Sequence, residues 1–241
     1  MAEAKTGRSD WRFSLVAGLI GILIGGAAVY LITGGGNRAA TEAIVRDYIL
    51  ANPEILPQAM ERLQQRSAGQ AVRENRAAIE TPFHGAWAGA QNADVTLVEF
   101  FDYACGFCRA SNGHIDRLLR EDPRLRVVWR EYPVLGPASE QAAVASLAAA
   151  RAGRYRPFYD GMFAAGRPSE QTIAATRSAV GVEAATLTDE FRTELQRNYQ
   201  LARALGASGT PTFVVGDQVL HGAVGYEALR DAIAQARRAR S

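Results

Sequence analysis

The apolar pattern of the chain changes period along its length, and each change predicts a different kind of element. Residues 13–32, FSLVAGLIGILIGGAAVYLI, carry no charged side chain and match the ~20 residues a helix needs to cross a bilayer core. The run predicts a membrane segment, read as an uncleaved anchor. A cleaved signal peptide competes, since GGAA offers a small-residue site, but such peptides have shorter apolar cores of ~7–15 residues. Residues 33–40 read as a flexible linker. From Thr41 to Ile79 the apolar positions thin to Ile44, Tyr48, Ile55, Met60 and Leu63 at helical spacing. Asn52-Pro53, a cap and first-turn pair, divides this stretch into helices over 41–51 and 53–79. So thin a stripe builds no core of its own, and the 41–80 segment is read as a self-association stalk rather than a spacer.

Beyond Pro82 the pattern becomes that of a folded domain. VTLVEFF, 95–101, is short, β-branched and aromatic, which suits a strand buried on both faces. From Cys105 the period is helical, with Cys108, Ile115, Leu118 and Leu119 on one face until Glu121, Asp122 and Pro123 end it. LRVVWREY, 125–132, reads as a second strand, and strand, helix and strand in this order form a βαβ unit. Residues 139–206 read as an inserted helical block. Ser139 and Gly153 bracket one helix, Tyr155–Phe163 forms another, Ser169 and Gly181 bracket a third, and a fourth runs from Thr188 to Leu205 on a stripe of Phe191, Leu195, Tyr199, Ala202 and Leu205. TFVV, 212–215, and VLHGAV, 219–224, then read as a hairpin. An amphipathic helix carrying Tyr226, Leu229, Ile233 and Ala236 closes the chain.

Composition adds compartment and excludes some partners. With 241 residues, 48% of them hydrophobic, there is material for one ordinary core plus extra segments. The formal charge of +2, scattered as Arg through helical stretches, argues against a nucleic-acid partner. Lys5, Arg8 and Arg12 precede the apolar run. The positive-inside rule therefore puts residues 1–12 in the cytoplasm and the rest of the chain outside, where disulfides persist.

The two cysteines, Cys105 and Cys108, lie in CGFC. Structural zinc wants four ligands, and His84, His114 and His221 are not at ligand spacing, so no metal is expected. As a structural clip the pair closes too short a loop to stabilise much. At a helix start, Cys105 meets unpaired N–H groups and the positive end of the dipole, which favour its thiolate. Cys108, one turn inside, is placed to attack a mixed disulfide. Redox exchange is the reading on which spacing, helix position and βαβ context agree. Glu99 interrupts the apolar strand, and a buried carboxylate there demands a reason. Either it relays a proton for Cys108, or it is a rim carboxylate held by Arg130. His114 and His221 read as packing residues, and Asp102 and Tyr103 as residues that shape the start of the active helix.

VTLVEFFDYACGFC, REYPVLGPASEQAA and GASGTPTFVVGDQVLHGAVGYEAL together resemble the DsbA family of extracytoplasmic thiol-disulfide oxidoreductases over residues 83–241. The resemblance implies an α/β, thioredoxin-like fold with a helical insertion, here preceded by the membrane segment and the helical stalk. It implies a cis-proline at Thr210-Pro211, opposite the cysteines, where Thr210 and Pro211 would touch the active pair and offer backbone groups to an extended substrate. A plain strand-starting proline is the alternative for Pro211. It also puts a buried acid at Glu99, six residues before Cys105, and no cofactor beyond the redox-active cysteine pair.

Gly106-Phe107 carries no cation, unlike the histidine-containing dipeptide of strongly oxidising members, so a less oxidising couple is expected. Gly106, Phe107 and Thr210 are similar to the corresponding positions of DsbC-type isomerases and of the ScsC-like branch, whose members oligomerise through an N-terminal helical segment. The expected protein is a periplasm-facing, inner-membrane disulfide oxidoreductase with isomerase or reductase capacity. It would be a homo-oligomer acting on secreted cysteine-containing clients, reset by a quinone-linked oxidase of the DsbB kind or an electron-donating reductase of the DsbD kind. The rivals are a monomeric DsbA-like oxidase and a tethered protein that binds metal or clients without turnover.

Overall fold

The computed structural model describes residues 10–30 and 37–240, which divide after Glu61 into two compact units. The first holds α1 (Asp10–Tyr30), α2 (Asn37–Ala51) and the first residues of α3 (Ile55–Glu80). Among the described residues no helix is long and apolar enough to cross a membrane. The anchor expected over 13–32 is therefore not among the elements seen: α1 begins before the apolar run, at Asp10 with Arg12 following, and ends at Tyr30, with Leu31 and Ile32 outside the described residues. Between α2 and α3 the Asn52 side chain donates to Tyr48 O at 2.8 Å. Pro53 and Glu54 form a turn, so α3 starts two residues later than expected. Ile44, Val45, Tyr48, Leu50, Leu56 and Met60 are exposed.

The second unit is built on a five-stranded sheet in the order β1-β3-β2-β4-β5. Its strands are β1 (Trp87–Gly89), β2 (Val95–Phe101), β3 (Leu125–Glu131), β4 (Thr212–Val215) and β5 (Gln218–His221). The βαβ expectation holds: β2 and β3 pair in parallel across α4 (Gly106–Glu121). β4 joins β2 antiparallel and forms the expected hairpin with β5, which ends at His221 rather than 224. The inserted block consists of α5 (Pro137–Arg151), α6 (Tyr155–Ala165), α7 (Glu170–Ala179) and α8 (Asp189–Ala204), and α9 (Gly225–Arg240) closes the chain. Proline at its first position lets α5 start before Ser139, which lies buried inside the helix. Ser169 and Thr188 cap α7 and α8, each accepting from a backbone N–H.

Strand alternation sorts the core into two faces. Leu97, Glu99 and Phe101 of β2, with Val127, Trp129 and Glu131 of β3, face one way. The apolar residues among them share a core with α4, α5, α6 and α9. Val98, Phe100, Val128 and Val214 face the other way, against Val72 and Ile79 of α3, Leu201 and Ala202 of α8 and Leu205 just after it. On that second face Arg130, 2% exposed, donates to the carbonyls of Ala78, Ile79 and Thr81 at the end of α3, and to Glu194 at 3.0 Å and Asn198 at 2.8 Å on α8. The stripe read for α8 omitted those two polar residues, and its Tyr199 is partly exposed, donating to Pro133 O.

β1 was not expected. Three residues with a glycine carry no strand signal, yet they add an antiparallel edge to β3. Gly89 makes this possible: its φ is +99°, and a Cβ there would lie 2.3 Å from Leu125 O and 2.9 Å from Leu119 Cδ2. Gly89→Ala should therefore lower the unfolding free energy by about 2–4 kcal/mol in urea titrations. Gly106→Ala, with open space at its Cβ position, should change it by less than about 0.5 kcal/mol.

Candidate active site

The loop after β2 turns sharply, with Cys105 N–H donating to Asp102 O at 3.0 Å, and delivers Cys105 to the N-cap of α4. There its Sγ accepts from Cys108 N at 3.4 Å, taking the role that a serine oxygen takes in an ordinary cap. Both cysteines are free thiols, Cys105 5% exposed and Cys108 fully buried. As a thiol, Cys105 donates to Thr210 O at 3.2 Å, so the Thr210-Pro211 loop lies against it, and that peptide bond is cis. Pro211 is buried, and its carbonyl accepts from Gly222 N at 2.8 Å, which ties the loop to the residue after β5. Gly106 and Phe107 form the first turn of α4, and Phe107 stands 68% exposed beside the thiols.

This arrangement separates the two sulfurs electrostatically. A hydrogen bond from Cys108 holds the Cys105 thiol down, to about 5, helped by the Thr210 side chain and by the N–H groups of Cys108 and Phe107, against the opposing effect of burial. Burial pushes Cys108 far up, and the bond it gives to Cys105 and the charge of Glu99 push the same way. One sulfur is therefore an anion at neutral pH and the other a protonated thiol, the division of labour that nucleophile and resolving thiol require.

Glu99 lies on the front face of β2, fully buried. The sequence left two readings for it, and the structure brings it to the thiols' side of the sheet rather than to Arg130. The register pairs Glu99 with Trp129, so the next residue, Arg130, projects from the opposite face. Tyr159 OH lies 3.3 Å from Glu99 Oε2 and 2.9 Å from Asn112 Oδ1. The Tyr159 hydroxyl has one proton to donate, to Glu99 or to Asn112. Burial, partly opposed by the Tyr159 bond, lifts the Glu99 carboxyl to about 8, and the Cys105 charge adds to the rise.

Sequence reasoning missed this network and a second buried acid. Glu131 is 3% exposed, two residues along β3 from Trp129, and burial holds its carboxyl well above the usual range. Ser146 of α5 stands beside it and bonds Tyr103 OH at 2.7 Å. Glu131 carried a signal like that of Glu99, a carboxylate ending an apolar strand, but Tyr159, Asn112 and Ser146 depend on how the inserted helices dock. Phe101, Tyr103, Tyr159 and Phe163 pack edge-on and Trp129 and Tyr155 pack tilted against Tyr159, in a layer beside the acids. Such a layer keeps water away and the dielectric low. Of the histidines, His84 is exposed and lies 3.0 Å from Glu190, His114 is half-buried, and His221 is exposed. Among the described residues no cluster of three or more His, Cys, Asp or Glu is placed to hold a metal ion.

Two pH dependences follow. The rate of Cys105 alkylation should rise with pH through a midpoint of about 5. Because this pKa is lowered by folding, the thiolate's stabilisation of the reduced protein is fully present only above the unfolded thiol's value and is lost as pH falls through about 5. Glu99 has the opposite sign: its contribution is full below the unfolded carboxyl's value of 4.5 and is lost as pH rises through about 8. Glu99→Gln should remove on the order of 3–5 kcal/mol of that pH-dependent loss, read as urea stability between pH 4 and about pH 9. If its stability profile runs parallel to that of the unmodified protein, Glu99 is not protonated at neutral pH.

Comparison with known proteins follows the same lines. The DSBA-like thioredoxin domain matches residues 96–234, and the copper resistance protein ScsC N-terminal domain matches residues 38–70. A linker-deletion mutant of ScsC from Proteus mirabilis superposes with a TM-score of 0.71 at 26% identity, covering 87% of this chain and 100% of its own. A thioredoxin-like oxidoreductase from Silicibacter pomeroyi does so with a TM-score of 0.60 at 36% identity, over 63% of this chain and 91% of its own. A periplasmic thioredoxin-like protein from Salmonella enterica, 24% identical with a TM-score of 0.63 over 68% of this chain and 95% of its own, shares the fold. Among curated proteins, the Na(+)/H(+) antiporter NhaA 3 of Salinispora tropica is 30% identical over 162 residues, 61% of this chain. The match spans only 24% of that antiporter's length. With its family match running from β2 into α9, the chain belongs to the family of the DSBA-like thioredoxin domain.

Proposed function

We propose that this chain is a periplasmic thiol-disulfide oxidoreductase that reduces, isomerises or forms disulfides in secreted proteins. The observation that carries the reading is the opposed state of the two sulfurs, a Cys105 thiolate at a helix N-terminus over a buried Cys108 thiol. The Cys105 thiolate attacks one sulfur of a client disulfide, forming a Cys105–client disulfide and expelling the other client sulfur as thiolate. Cys108 gives up its proton and attacks Cys105 Sγ, forming the Cys105–Cys108 disulfide and releasing the second client thiolate. The client gains two electrons and the protein loses them; read backwards, the same steps oxidise a client dithiol. In isomerisation a client thiol, instead of Cys108, resolves the mixed disulfide.

Glu99 in this reading gives up its own proton once the Cys105 charge is consumed in the mixed disulfide, and as carboxylate then takes the Cys108 proton. Thr210 and Pro211 offer backbone groups to an extended client, with Gly106 and Phe107 forming the adjacent wall. No cofactor beyond the cysteine pair is needed, and a membrane oxidase or reductase resets it. The apolar run 13–32 tethers the protein to the inner membrane, and residues 41–80 assemble copies of the chain. In support of assembly, residues 38–70 match the ScsC N-terminal domain, and Ile44, Val45, Tyr48, Leu50, Leu56, Met60 and Leu63 among them are exposed.

Gly106-Phe107 adds no cation to the helix terminus, and a thiolate midpoint of about 5 falls between the ~7 of thioredoxin and the ~3.5 of DsbA. The reduction potential should accordingly lie between about −270 and about −120 mV in glutathione redox buffers. Cys108→Ala should accumulate Cys105–client disulfides when cells are acid-quenched and alkylated, and one membrane redox protein among the adducts would tell oxidation from reduction. No adducts, with Cys105 fully alkylated and therefore free and unmetallated, would end the exchange reading and leave binding without turnover. Carbonate washing tests the tether: release of the full chain from membranes would refute it.

A further inference from the structure

Asp102 is a carboxylate 1% exposed at the mouth of the thiol site, and it is spent on neither cysteine's chemistry nor a cation. Its Oδ1 accepts Ala104 N–H at 2.8 Å and its Oδ2 accepts Leu135 N–H at 2.9 Å. The first bond fixes the residue before Cys105; the second reaches across to the segment after β3. Its main-chain carbonyl is engaged as well, by Cys105 N–H at 3.0 Å. The segment it reaches runs alongside, with Tyr132 N–H donating to Phe101 O at 2.8 Å. That segment then shows Val134 and Leu135 to solvent, 40% and 54% exposed.

One residue thus bonds the approach to the nucleophile, Cys105 itself and an exposed apolar rim. We propose that Asp102 is a positioning residue that ties the Val134-Leu135 rim to the Cys105 loop, so that contact of an apolar client segment with the rim is felt as a change in the hold on the Cys105 sulfur. This rests on the exchange reading for its purpose, while the tie itself stands on the hydrogen bonds. A buried carboxylate suits the task because two separate N–H groups need an acceptor at one point, and a carboxylate supplies two oxygens without a donor. Burial raises the nearby Glu131 carboxyl, and the Asp102 charge adds to that rise.

Asp102→Asn tests the tie. The amide keeps the size but has one oxygen, so either Ala104 or Leu135 N–H faces an NH2 group. Loss of position should raise the midpoint of Cys105 alkylation by about half a unit or more. Loss of the negative charge alone would lower it, and a purely structural role would move only the melting temperature; a lowered or unmoved midpoint in the folded variant overturns the proposal. A second measurement does not depend on that variant folding. In the unmodified chain the Leu135 amide resonance should titrate with the Cys105 midpoint, and in Cys105→Ser that titration should vanish. A Leu135 signal flat through that range, or one that persists in Cys105→Ser, also overturns it. Failure of client exchange with these titrations intact would refute the proposed function and leave the tie standing.

Discussion

Burying the central strands on both faces requires somewhere to put the polar end of β3, and Arg130 meets that requirement. Its guanidinium lies in the second core, where an unpaired charge would be prohibitive. It is tolerated because the carbonyls of Ala78, Ile79 and Thr81 and the side chains of Glu194 and Asn198 take its donors. Those carbonyls are the ones left open at the C-terminus of α3, so a single side chain both neutralises its own burial and caps a helix. Removing one partner of such a buried pair typically costs ~3–5 kcal/mol, because the other is stranded. α3 and α8 are consequently fixed against the back of the sheet, and alternation leaves the front face of β2 and β3 for chemistry.

That alternation decided the one open question about Glu99. Sequence offered Arg130 as a holder because the two residues lie on neighbouring strands, but parallel pairing sets Glu99 against Trp129 and turns Arg130 away. A one-residue difference in register would have put acid and cation on the same face. Periodicity and punctuation revealed β2, α4, β3, the four inserted helices and the hairpin, because each carries its own local signal of apolar spacing or capping. β1 carried none, since its place is set by Gly89 meeting Leu125 backbone, a contact made across the sheet. The cysteines and the Thr210-Pro211 loop were legible as motifs. Tyr159, Asn112 and Ser146 were not, since their role appears only when α6 and α5 dock over the acids. In α8 the apolar stripe hid Glu194 and Asn198, whose burial is explained by Arg130 on a distant strand.

The front face combines two demands that compete in a low dielectric. An anion is needed at Cys105, and ionisable acids lie beneath it in the same dry aromatic layer. If Glu99 and Glu131 were ionised they would repel the thiolate, and the hydrogen bonds at the helix terminus would have to overcome that as well as desolvation. Burial removes the conflict by keeping both acids protonated, Glu99 up to about pH 8 and Glu131 well above the usual range. The charge placed on Cys105 then reinforces the arrangement, since it raises Glu99 further. Once Cys105 is consumed in a mixed disulfide its negative charge is gone, and the penalty on ionising Glu99 falls. The carboxyl thereby moves toward the range in which it can accept a proton at the stage when Cys108 must lose one. In the proposed exchange, loss of the charge on the Cys105 sulfur and ionisation of Glu99 beneath it are therefore linked electrostatically.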